Sequence, residues 1–325
     1  MTVCHNINKT RNEGGFVLVC VLWVVAIMTV ITLGFGRRSL LEHMAARYTL
    51  DNVKAMHMAR GAVNRGIVEL RNKAIYDFLQ NVPYRTSYAQ QWARPKNMLE
   101  GGEGDAQFFS EEEEEEFEDD MCGYVIQDEE SRVSLSRAPD ELLDEVPGIT
   151  RGIMRKINYR RKGSFADGVA PQPFQTVEEL RFLDGVSDED WFGDEDDPGL
   201  RDLLSCWGDG KINVNTAPEE VLECIPRLSR SARAIADYRR GADGELFTAD
   251  DKDFVNLADV KEKAGISDRA AEALGTYCKV SSQFFTITGT ATRRQGKIRA
   301  TCTATVMVVG GNARLIKWRE ELLEP

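Results

Sequence analysis

Few side chains in this sequence are of types and at spacings that could do chemistry. The three histidines, His5, His43 and His57, all lie near the amino terminus, and no Ser/His/Asp or Cys/His constellation can be assembled around them further along the chain. No Gly-rich phosphate loop follows a candidate strand. Seven cysteines (Cys4, Cys20, Cys122, Cys206, Cys224, Cys278, Cys302) are spread out without a CxxC pair, so neither a zinc knuckle nor a dithiol redox motif is present. One structural disulfide among the last five stays open in an oxidising compartment, and spacing does not name its partners. Two acidic clusters remain, one between Asp188 and Asp197 and one in DGELFTADDKD (243–253). A solvated loop is the plainer reading of each, and carboxylates gathered on calcium the sharper one. An enzyme is not expected.

The elements that must carry these residues are easier to read. The chain has 325 residues, 42% of them hydrophobic, and a formal charge of −12, so its surface repels phosphate backbones. From Phe16 to Gly36 no residue is charged, which is long enough for a helix to cross a bilayer core of about 30 Å. The run exceeds the h-region of a secretory signal, and GFGRRS at its end is not an A-x-A site. Lys9 and Arg11 precede it and Arg37 and Arg38 follow it, so flanking charge alone does not orient it. Leu41, Met44, Ala45, Tyr48, Asn52, Met56, Ala59, Val63, Ile67 and Leu70 then recur at helical spacing, which extends the helix as an amphipathic stalk that Gly34 and Gly36 could bend. Between Pro83 and Met121 the periodicity is lost and Glu111 to Glu116 form an unbroken acidic run, the pattern of a disordered loop.

Downstream the sequence is duplicated. RVSLSRAPDELLDEVPGITR (132–151) aligns without a gap on KINVNTAPEEVLECIPRLSR (211–230), and Tyr159-Arg160-Arg161 on Tyr238-Arg239-Arg240 at the same offset. FQTVEEL (174–180) pairs with FVNLADV (254–260) after a one-residue slip. Each copy reads as a short strand, two helices around a tight turn at Pro147-Gly148 or Pro226-Arg227, and a third helix near 176–184 or 256–264. This is a helix-hairpin-helix-like unit, and the DNA-binding version of that unit needs a glycine-rich turn with basic flanks. Here residues 138–191 hold eleven Asp/Glu against seven Lys/Arg, and residues 217–271 twelve against nine. A structural, protein-facing domain is the better reading. At the carboxy terminus QFFTITGTATRRQGKIRATCTATVMVV (283–309) gives two alternating runs around RRQGK, an antiparallel hairpin with Ile298, Ala300, Cys302, Ala304, Val306 and Val308 on its buried face.

The amino terminus resembles that of type IV pilins and type II secretion pseudopilins: a polar leader ending in glycine, then Phe, an apolar helix and an amphipathic continuation. That resemblance implies cleavage by a prepilin peptidase after Gly15 and methylation of the new terminal amine of Phe16, giving N-methylphenylalanine. The family usually carries Glu at the fifth mature position, and here that residue is Cys20. The K-type minor pseudopilins (general secretion pathway protein K) are the members that lack this Glu, and KINVNTAPEEVL followed by IPRLS and AIADYRR is close to their internal sequence.

The implied fold class is α+β: a long amino-terminal transmembrane and stalk helix, and a pilin-like α/β head with an inserted all-helical domain built from the duplicated unit. Its expected segments are a leader (1–15), a transmembrane helix (16–36), a stalk (37–80), an acidic flexible loop (81–121), a pilin-like sheet (122–137 and 279–320) and the insert (138–278, repeats 132–191 and 211–271). The strands near 123–136 and 211–215 are expected to join the hairpin in that sheet. The resemblance further implies a single-pass inner-membrane protein with a periplasmic head, at the tip of the secretion pseudopilus. Its partners would be I-type and J-type minor pseudopilins, the prepilin peptidase, the inner membrane and the secreted substrate, with no nucleic acid. K members bind calcium in the inserted domain, which makes Asp243, Asp250, Asp251 and Asp253 the metal candidates. The rival from another class is a membrane-tethered, helix-hairpin-helix DNA receptor of the competence type.

Overall fold

The computed structural model describes residues 13–98, 120–164, 168–194, 197–294 and 296–323. Most of the leader and the Glu111 to Glu116 run lie outside these residues. The chain divides into two units at Lys54/Ala55. The first contains the amino-terminal part of helix α1 (Glu13–Leu79), which presents an apolar surface all round from Phe16 to Phe35 and is long and apolar enough to be a candidate membrane span. The hydroxyls of Thr29 and Thr32 donate to the carbonyls of Val25 and Met28, each at 2.7 Å, which removes the cost of an unpaired hydroxyl in hydrocarbon. The helix runs through Gly34 and Gly36 as one element.

The second unit is the head. Its sheet has five antiparallel strands in the order β1 (Lys96–Asn97), β2 (Met121–Asp128), β7 (Phe284–Arg293), β8 (Ile298–Val309) and β9 (Asn312–Leu323). Alternation sends Ile298, Ala300, Cys302, Ala304, Val306 and Val308 to one face, where all are buried, and threonines to the other. Ala55, Ala59, Ala62, Val63, Leu70 and Ala74 of α1 pack on that buried face. The small residues let the helix backbone come close. A Cβ at Gly289 would lie 2.4 Å from the Ala59 carbonyl oxygen, so only glycine fits there.

Between β2 and β7 runs the insert, and because Asp128 and Phe285 are register partners on those adjacent strands, it occupies the place of a hairpin loop. Two-residue parallel pairs close each copy on itself: β3 (Val133–Ser134) with β4 (Leu204–Ser205), and β5 (Ile212–Asn213) with β6 (Cys278–Lys279). The 211–215 strand therefore belongs to the insert and not to the main sheet, a correction that follows from its partner, the 278–279 strand, being at the end of its own repeat. The long helices of the insert are α3 (Arg151–Lys162), α7 (Ser229–Arg239) and α9 (Asp268–Tyr277), with α2 (Asp140–Leu143), α4 (Asp188–Phe192), α5 (Leu200–Leu203), α6 (Glu219–Glu223) and α8 (Leu257–Lys263) shorter. Hydroxyl and amide caps start several of them: Thr150 accepts from Ile153 N, Ser187 from Asp190 N, Asn256 from Asp259 N and Ser267 from Ala270 N. The first copy's third helix is a 3-10 turn at Val177–Phe182. Leucines and isoleucines of both copies share one core, so neither copy is a domain by itself.

The segment expected as a loose loop from 81 is packed along its first part. Trp92 is 2% exposed and meets the Phe285 ring edge-on at 5.4 Å. Thr86 and Ser87 are buried, and Lys96–Asn97 adds a short edge strand to Gly123 and Tyr124. Tyr84, Tyr88 and Trp92 bring enough aromatic surface to order a stretch whose intervening residues are polar.

Candidate functional site

At the amino end, Gly15 and Phe16 lie near the start of the described part of α1, and Phe16 is 74% exposed. Cys20 follows one turn later, on exposed helix surface.

The two copies of the insert superpose in role but not in count. Arg161 donates to the carbonyls of Ser136 and Ala138 at 3.2 and 2.7 Å. Its counterpart donating to Val214 and Ala217, at 2.9 and 2.6 Å, is Arg239, not Arg240 as the aligned YRR triplets imply. Likewise the Arg160 guanidinium covers Phe174 at 4.3 Å, and Tyr238 stacks on Phe254 at 4.7 Å. The second helix begins at Arg151 in the first copy and at Ser229, one residue before the aligned Arg230, in the second, so Arg161 and Arg239 are each the eleventh residue of their helix. Burial lowers Arg239 to about 10, since its bonds go to carbonyls and not to a carboxylate.

The hairpin turns are closed. Gly148 and Arg227 both have positive φ, 82° and 71°. The amides that follow them are used internally, Ile149 N to Val146 O and Leu228 N to Ile225 O. Asp190 sits against Gly148. A cleft of about 320 Å³ between the copies is lined by Glu145, Asp197, Glu219, Glu220 and Glu223. This surface repels phosphate.

The calcium candidates are used by their own loop. Asp250 accepts from the backbone N–H of Ala242 at 2.6 Å, that of Asp243 at 3.2 Å and the Thr248 hydroxyl at 2.8 Å, and these donors hold its carboxyl far below the usual range. Asp243 accepts from Glu245 N, and Asp251 from Thr248 N. Asp253 points away, to Arg85 Nε at 2.7 Å. Among the described residues no group of three or more His, Cys, Asp or Glu could hold a metal ion, so the four aspartates as arranged do not fit a calcium cage.

The five cysteines of the head, Cys122, Cys206, Cys224, Cys278 and Cys302, are buried and free, which sets aside the disulfide option. Burial raises Cys122 and Cys302 to about 11 and Cys206, Cys224 and Cys278 to about 12, the behaviour of small core residues and not of nucleophiles. Sequence reasoning missed the aromatic strap over residues 84–94. It binds the insert through Arg85 to Asp253, Arg94 to the Thr248 carbonyl at 2.9 Å and Tyr88 against Phe247 at 5.2 Å. The four-residue spacing of Tyr84, Tyr88 and Trp92 was the available signal.

No family model and no curated protein matches the sequence. Among solved structures, a chain of the GspK-GspI-GspJ complex from the enterotoxigenic Escherichia coli Type 2 Secretion System is similar. The TM-score is 0.53 at 13% identity, over 85% of this chain and 99% of that one. A long helix, a small antiparallel sheet and a helical insertion between two of its strands thus form, in this chain, the fold of a component of that secretion complex.

Proposed function

We propose that this chain is a minor pseudopilin of the K type, which acts in type II secretion at the tip of the pseudopilus. The observation that carries the reading is the fold likeness to the GspK-GspI-GspJ complex over nearly all of the matched chain. The apolar half of α1 anchors the protein in the inner membrane and the head stands in the periplasm. Cleavage after Gly15 leaves an amine on Phe16. A Glu at the fifth position would neutralise a neighbour's amine in the bilayer, where an unpaired charge costs several kcal/mol. Cys20 offers no such charge, which disfavours docking beneath a subunit already in place and favours going in first. The insert, at residues 129–283 between β2 and β7, makes the head too bulky to repeat along a tightly wound filament.

Partners in this reading are I-type and J-type pseudopilins, the prepilin peptidase and, at the exposed tip, the secreted substrate. The closed turns and acidic cleft argue against a DNA receptor. The test is co-expression of the full chain with a prepilin peptidase and with I-type and J-type pseudopilins of the same system. The expected result is a mature chain that begins at methylated Phe16 and co-purifies with both partners. An uncut chain that binds neither partner would refute the reading.

A further inference from the structure

Strand β9 lies at one side of the sheet. One of its edges pairs with β8 along its whole length, and no described strand pairs with the other. The register says which of its backbone groups face outward. Val308 N donates to Gln283 O at 2.7 Å, so on β8 the groups of Val308 face β7 and those of Met307 face β9. Alternation along the ladder then turns the N–H and C=O of Lys317, Arg319 and Glu321, the partners of Thr305, Thr303 and Thr301, inward to β8. Those of Trp318, Glu320 and Leu322 face outward. Long edges of this kind are usually guarded by bulges or by inward-pointing charges, and both guards are limited here. The irregularity at Thr305/Val306 makes Ile316 an extra residue on β9 and leaves Lys317 to Leu323 regular. The one carboxylate on the α1 side, that of Glu320, accepts from Arg60 Nε and Nη2, each at 2.7 Å, so its charge is already met.

The side chains of β9 form two rows. Leu315, Trp318 and Leu322 are register partners of Val306, Ala304 and Ala300 and so stand on the α1 side, yet Leu315 and Leu322 are 51% and 49% exposed. The opposite row is Arg314, Lys317, Arg319 and Glu321, the last two paired with each other, which makes it basic in a chain whose formal charge is −12. We propose that β9 is a strand-addition site: a partner protein lays an extended segment along its outer edge, hydrogen-bonded to Trp318, Glu320 and Leu322. A row of outward N–H and C=O groups at strand spacing is matched by another strand. The half-exposed leucines call for apolar residues on the α1 side of that strand, and the basic row for acidic residues on the other. A second copy of β9 would bring a row of the same sign, so the added strand belongs to a different protein. The inference rests on the pseudopilin reading only for the choice of partners in its test.

Residue-resolved hydrogen exchange on the full chain in detergent micelles, alone and co-purified with I-type and J-type pseudopilins of the same system, tests this. In the chain alone the amides of Lys317, Arg319 and Glu321 should exchange slowly and those of Trp318, Glu320 and Leu322 fast. In the complex the second set should slow by at least about tenfold while the first stays unchanged. Leu322→Pro removes an outward N–H and sets a ring on the edge without taking a bond from β8, so the slowing at Trp318 and Glu320 should be lost in it. If this variant does not fold, the wild-type pattern decides. A complex that forms with the outward amides still fast would overturn strand addition and leave the pseudopilin reading standing. Outward amides already slow in the chain alone, or slowing that survives in a folded Leu322→Pro, would overturn it too. If the partners do not co-purify, that reading fails and the peptide Val-Glu-Val-Glu-Val-Glu-Val takes their place: the same alternating slowing supports strand addition, and its absence overturns it.

Discussion

Arg227 holds a backbone conformation that its counterpart in the first copy gives to glycine, with φ of 71° against 82° at Gly148. A side chain in the left-handed region costs about 1 kcal/mol, and the exposed pair of Arg227 with Glu272 at 3.7 Å returns little of it. Arg227→Gly should therefore raise stability by about 1 kcal/mol in urea denaturation. Gly148→Ala should lower it by about 1–2 kcal/mol, because the new Cβ also meets Asp190 at 3.3 Å. At Cys20, substitution by Glu would restore the carboxylate that the tip reading lacks. Under the proposed tip role, cross-linking of filaments assembled with Cys20→Glu should find the chain at internal positions, and with the wild type it should not. Residues of this kind are legible when they break a repeat, as Arg227 and Cys20 do. Asp128 is not, since DEES reads as a surface turn until the insert folds back over it.

Periodicity made the longest elements readable. The apolar run and the i, i+4 pattern specify α1, and strict alternation specifies β7 and β8. The 211–215 strand misled because two residues of alternation carry no information about which strand they pair with. The strap between α1 and β1 was hidden for a different reason: its only period is the four-residue spacing of three aromatic residues among polar ones, and its order comes from tertiary burial of those rings. Trp92→Ala should cost about 3–5 kcal/mol, and limited proteolysis should then cut first between residues 84 and 97. Tyr88→Ala, which removes a partly buried contact on the insert side, should leave the sheet intact and raise protease access at residues 241–253.

For the whole molecule, the duplication predicted a helical body and the K-type resemblance implied its insertion into the head, while the way it joins the sheet came only from the structure. The two apolar cores share no residue, and sheet and insert are held together by the hydrogen bonds that Asp128 accepts from Asn213, Thr216 and Ser282 and by the strap's contacts with residues 247–253. Replacement of residues 129–284 by an Asn-Gly turn should leave β2 and β7 paired as a simple hairpin. Circular dichroism should lose helix and keep strand, and co-purification with I-type and J-type pseudopilins reports whether the insert or the sheet and stalk carry partner binding. The register pairing of Asp128 with Phe285 holds the two ends of the insert about 5 Å apart. That gap is a ready socket: a fluorescent or enzymatic reporter whose own termini lie side by side could be grafted there without stretching either strand, turning the head into a marker for where the protein travels.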